Sequence, residues 1–128
     1  MSQKNNDVQA YEQTRDHYLS NAEKRLNEGD YRKASELLWG AVTQQLKLLA
    51  ALNGKVINSH REFDTFIDEV VEETGNEDFA GLYGAAERLH RNFYDEVIQK
   101  RFFQGHAERA IRLILMLETL VRKYHKDY

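Results

Sequence analysis

Apolar residues recur every three to four positions along most of this chain, the spacing that lines one face of a helix. Five segments carry the pattern. The first runs from about Val8 to Glu28, with Tyr11, Tyr18, Ala22 and Leu26 as its stripe, and Gly29 suits its end. Asp30 is placed to cap a second helix over Tyr31 to Leu52, whose apolar set is Ala34, Leu37, Leu38, Ala41, Val42, Leu46, Leu49 and Ala50; Asn53-Gly54 stops it. Ser59-His60-Arg61-Glu62 has the form of a capping box and opens a third helix through Phe63, Phe66, Ile67, Val70 and Val71 to Gly75. A fourth begins at Asn76 or Asp78 and continues through Leu82, Ala86, Leu89, Phe93 and Val97. The fifth spans about Gln104 to Tyr124, and the join near Lys100 carries no strong breaker. The fold class predicted is all-α, an up-and-down antiparallel bundle of about five helices, since short connections make neighbours antiparallel.

Composition supports this and narrows the chemistry. The chain has 128 residues, enough for one domain, expected over residues 8–128 behind a mobile tail at residues 1–7. It contains no proline and no cysteine, so disulfides, thiolate metal sites and a cysteine nucleophile are excluded. No apolar run reaches membrane length and the first ten residues lack a signal-type apolar region, which predicts a cytoplasmic protein with no membrane partner. The net charge of −3 provides no global field for nucleic acid. Charge is nevertheless polarised: acidic residues gather between Glu62 and Asp78, basic ones between Arg88 and Arg112. Gly40 and Gly84, each followed by alanine, are expected where two helices approach closely.

The densest chemistry lies in Leu89-His90-Arg91-Asn92-Phe93-Tyr94-Asp95-Glu96. On a helix His90 and Tyr94 fall one turn apart, as do Asn92 and Glu96, while Leu89, Phe93 and Val97 share a third direction as anchors. Asn92 is a poor helix former unless its amide has a partner. Each residue also has a purely structural reading: His90 bonded to a carbonyl or carboxylate, Arg91 paired with Asp95 or Glu87, Tyr94 packed at a rim, His60 a capping-turn residue near exposed N–H groups that favour anions. Trp39 and the set Tyr31, Phe63, Phe66 and Phe79 are expected in the core.

The segments Gly29–Ala41, Ser59–Glu62 and Leu89–Tyr94, in that order, resemble the archaeal paralogous-repeat proteins of the HEPN superfamily, and the likeness covers about Tyr11 to Val121. The resemblance implies a helical bundle that dimerises. Its members include metal-independent endoribonucleases of toxin–antitoxin and defence systems, and non-catalytic modules that bind nucleotides or dock a nucleotidyltransferase-type partner. The ribonuclease signature is an arginine, often followed by a polar residue, then four to six residues and a histidine. Arg91-Asn92 matches its first half, and Glu96 stands at the histidine position. Arg101 and His106 match the spacing in a segment expected to be a connecting loop.

Metal-free RNA cleavage needs a base, an acid and a cation at the phosphate. His90, Arg91 and Glu96 are therefore the candidate catalytic residues, with His60, Arg61, Asn92, Tyr94, Arg101 and His106 as candidate nucleic-acid or nucleotide contacts. A metal site drawn from His60, His90, Asp95, Glu96 and His106 has no paired-ligand spacing to support it, so neither a metal nor another cofactor is expected. The function expected is RNA or nucleotide binding by a homodimer, with endoribonuclease activity or partner docking as its alternatives.

Overall fold

The computed structural model describes the backbone of residues 3–125 and the side chains of residues 6–125. It is an all-α bundle: α1 (Gln3–Asn27), α2 (Tyr31–Leu52), α3 (His60–Thr74), α4 (Asp78–Asp95) and α5 (Lys100–Tyr124). Each helix packs on its sequence neighbour across a short connection, and α2 additionally meets α4 and α5. α2 is thus the shared wall of the bundle. Its composition fits that position, because Leu38, Val42, Leu46, Leu48 and Leu49 are all buried and alanines fill the tight places between them.

Local chemistry fixes several boundaries. The Asp30 carboxylate accepts the Lys33 N–H, and Gly29 reverses the chain with φ of 77°, where a side chain would be strained. Ser59 and Glu62 form the full capping box: the Ser59 hydroxyl accepts the Glu62 N–H while the Glu62 carboxylate accepts those of Asn58 and Ser59. Gly75 ends α3 in the left-handed region.

Several expectations change. α1 begins at Gln3, so residues 3–7 of the expected tail are helical; residues 1 and 2 lie outside the described residues. α4 stops at Asp95, before Val97, and α5 starts at Lys100, before Gln104. Arg101 and His106 therefore belong to a helix and not to a loop. The stop is made by Glu96, whose φ of 50° is the left-handed conformation that glycine takes at other helix ends. Gly40 does sit at a close approach, since a Cβ there would lie 2.9 Å from the Tyr18 ring, but Gly84 faces open space. Trp39, Phe63, Phe66 and Phe79 are buried as expected, while Tyr31 is only half-buried.

Among the described residues, no helix is long and apolar enough to cross a membrane.

Candidate functional site

The residues that converge come from α2, α3 and α4. Trp39 on α2 is buried, and its indole is a plate with an imidazole at each of two positions. His90 from α4 stacks on it with ring centres 5.2 Å apart, and His60 from the first turn of α3 lies tilted against it at 5.5 Å. The two imidazoles are then 5.9 Å apart, centre to centre. Tyr94, one turn beyond His90, meets that ring edge-on at 5.4 Å and is itself 61% exposed. Such edge and stacked contacts hold ring orientation as well as burying area.

Each imidazole has a carboxylate partner. His90 Nδ1 lies 3.0 and 3.2 Å from the two oxygens of Glu36. A proton on Nδ1 satisfies both and leaves Nε2 with a free lone pair. His60 Nε2 lies 3.0 Å from Glu87 Oε2 and 3.8 Å from Asp64 Oδ1. Behind Asp64, the Tyr83 hydroxyl donates to the same oxygen at 2.6 Å. Burial, and then that bond, push the Tyr83 hydroxyl well above the ordinary tyrosine range, so it stays a donor. No lysine or arginine pairs with Glu36, Asp64 or Glu87 among the described residues.

Sequence reading placed His60, His90 and Tyr94 among the candidates, and the structure brings these three together. It missed Glu36, Asp64, Glu87 and Trp39. The spacing signal was present for Asp64, which follows His60 by one helical turn but lay outside the set His60, His90, Asp95, Glu96 and His106 considered from the sequence. Asp95, Glu96 and His106 have no part in the cluster.

The remaining candidates separate. Asn92 is 4% exposed; its amide donates to Ser35 Oγ at 2.9 Å and its oxygen accepts the Ile98 N–H at 2.8 Å. It is an internal pin, and with Leu89 it replaces the anchors expected at Phe93 and Val97, both only half-buried. Glu96 is past the helix end, so it shares no face with Asn92; it pairs with Arg32 at 3.6 Å. Arg32 also donates to the Phe93 carbonyl and lies over the Phe93 ring, closing the terminus of α4. Arg91 is exposed and pairs with neither Asp95 nor Glu87 among the described residues, because Glu87 is turned onto His60. Arg61 is exposed beside Lys55, Thr65 and Phe66. Arg101 lies over the Phe102 ring, and His106 Nδ1 bonds the Phe102 carbonyl at 3.0 Å. Five positions apart on one helix, Arg101 and His106 project about 140° from each other, which separates their side chains across the α5 surface.

Residues 10–114 match the sequence profile of the Archaeal PaREP1/PaREP8 family. The chain belongs to that family. The match leaves out the start of α1 and the end of α5, but it takes in the whole of α2, α3 and α4 and with them every member of the imidazole cluster of this PaREP1/PaREP8 protein. No curated protein and no solved structure matches it.

Proposed function

We propose that this PaREP1/PaREP8 protein binds a phosphate-bearing ligand, RNA or a free nucleotide, on the face where α3 and α4 meet. The observation that carries the reading is the convergence of His60 and His90 on one aromatic plate beside the exposed Tyr94, with an exposed arginine, Arg91, next to His90 in sequence and without an ion-pair partner among the described residues. Arginine presents paired donors suited to phosphate oxygens. The exposed Tyr94 ring offers a surface on which a base can stack. The HEPN likeness of the sequence segments agrees with such a ligand. Binding is favoured over hydrolysis because Glu96, at the position of the ribonuclease histidine, is held against Arg32 at the end of α4.

Anisotropy of a labelled single-stranded RNA tests the reading, with ATP and inorganic phosphate as competitors to tell a nucleotide site from a polymer site. Binding should weaken with salt, and removing one phosphate contact should reduce the slope of log K against log salt by about 0.7. The double variant His90→Ala, Arg91→Ala should lose at least about tenfold in affinity at low salt, on the scale of ~1.4 kcal/mol per decade. Affinity unchanged in that variant would remove the assignment.

The second reading, docking of another copy of the chain, is favoured by Ile111 and Leu115. They lie one turn apart on the outer side of α5 and are 42% and 62% exposed. Light scattering on the wild type and Leu115→Glu decides it: a dimer converted to monomer supports the interface, and a monomeric wild type removes it.

A further inference from the structure

We infer that His60, Asp64 and Glu87 form a binding site for one first-row divalent cation, of which Zn²⁺ is the best match. The donor atoms come from two helices and lie within 4.8 Å of one another. A tetrahedral ion with arms of 2.0–2.2 Å holds its ligands roughly 3.3–3.6 Å apart. The observed His60–Glu87 and His60–Asp64 separations, 3.0 and 3.8 Å, straddle that value. Rotation of the exposed Asp64 and half-buried Glu87 carboxylates brings the three donors toward one spacing.

The charge balance argues in the same direction. Two carboxylates face the Nε2 edge of His60, and that nitrogen has at most one proton to share between them. Glu36 adds a third negative group on the same aromatic plate through His90, and no lysine or arginine neutralises any of the three among the described residues. The Tyr83 hydroxyl holds Asp64 Oδ1 from behind, as the outer-shell partner of a ligating carboxylate does. Trp39 fixes the plane of the His60 ring. One imidazole with two carboxylates suits Zn²⁺ or its neighbours in the first row. Ca²⁺ and Mg²⁺ prefer more numerous, all-oxygen ligands. Three protein ligands leave a fourth position open to water or to an oxygen of another molecule.

The inference does not depend on phosphate binding, and its test contains no RNA. Zn²⁺ is titrated into the full chain against a chromophoric chelator, and Co²⁺ is followed by its visible ligand-field bands. The expected result is one ion per chain, with His60→Ala and Glu87→Gln each weakening binding at least tenfold. Tyr83→Phe should weaken it less and shift the Co²⁺ bands, while His106→Ala leaves both unchanged. Circular dichroism of each variant verifies the fold, which substitutions at the exposed His60 and the half-buried Glu87 should preserve. Stoichiometric binding that survives His60→Ala and Glu87→Gln, or no binding by the wild type at micromolar Zn²⁺, would overturn the site.

Discussion

Asn92 allows the sharpest separation of a structural role from a binding one. Its side chain joins three elements: the amide donates to Ser35 on α2, and the oxygen accepts the N–H of Ile98 in the connection between α4 and α5. Ser35 in turn donates to the Tyr31 carbonyl, so in Asn92→Ala its hydroxyl keeps that bond and loses only a donor to it. The Ile98 N–H loses its acceptor outright. Leaving a buried group unpaired costs ~1–3 kcal/mol, and the lost bond to Ser35 adds ~1, so the total is about 2–4 kcal/mol. A urea slope of ~2 kcal/mol/M converts this to a midpoint lower by about 1–2 M. Ser35→Ala in the Asn92→Ala background should cost less than it does alone, because the two side chains share one bond. A midpoint shift below about 0.3 M, or a loss of ligand affinity with stability intact, would refute the pin and return Asn92 to the binding surface.

Other consequences can be checked with the same measurements. Glu62 is held below its ordinary pKa of 4.5 by N–H bonds from Asn58 and Ser59 and by the Ser59 hydroxyl. The folded state therefore binds that proton less tightly than the unfolded chain does; the stabilisation is present above the ordinary value and is lost as pH falls through the lower folded value. Glu62→Gln keeps an acceptor at this position but cannot titrate, so urea midpoints should fall less steeply for it below about pH 4.5 than for the wild type. Ser59→Ala should cost ~1 kcal/mol at neutral pH. Gly40→Ala should lower the melting temperature, since the new methyl meets the Tyr18 ring at 2.9 Å and overpacking costs ~1–3 kcal/mol. Gly84→Ala meets nothing and should raise it through a helix-propensity gain of ~0.5–1 kcal/mol. Equal melting temperatures for these two variants would mean that α1 and α2 are not closely seated at Gly40.

The helices were legible wherever a residue type does its usual work at their ends. Asp30 and Ser59 cap, Gly29 and Gly75 reverse the chain, and the boundaries of α2 and α3 follow from them. The α4–α5 join was not, because its stop is a glutamate in a glycine conformation, held by the Asn92 side chain and by Arg32 from another helix. Arg32 is distant in sequence, and although Asn92 is only four residues from Glu96, nothing local shows that its side chain turns forward to the Ile98 N–H. The oddity of Asn92 inside a helix was visible; that its partners are Ser35 and Ile98 was not. The candidate site divides in the same way. His60, His90 and Tyr94 stood out as chemistry-bearing side chains, but only the crossing of α2 with α3 and α4 shows that Trp39 gathers the two imidazoles. Glu36, Asp64 and Glu87 look like ordinary surface carboxylates until their partners are known.

α1 packs chiefly on α2, and one of its polar ties to the rest is Arg15, which bonds Gln45 on α2 at 2.8 Å and Glu118 on α5 at 3.3 Å. If it lifts, Val8 and the Tyr18 ring leave together, the trough over Gly40 empties, and the contacts among the other four helices survive. Partial opening of this kind costs less free energy than global unfolding. The amides of α1 are therefore the ones expected to trade their hydrogens with solvent soonest.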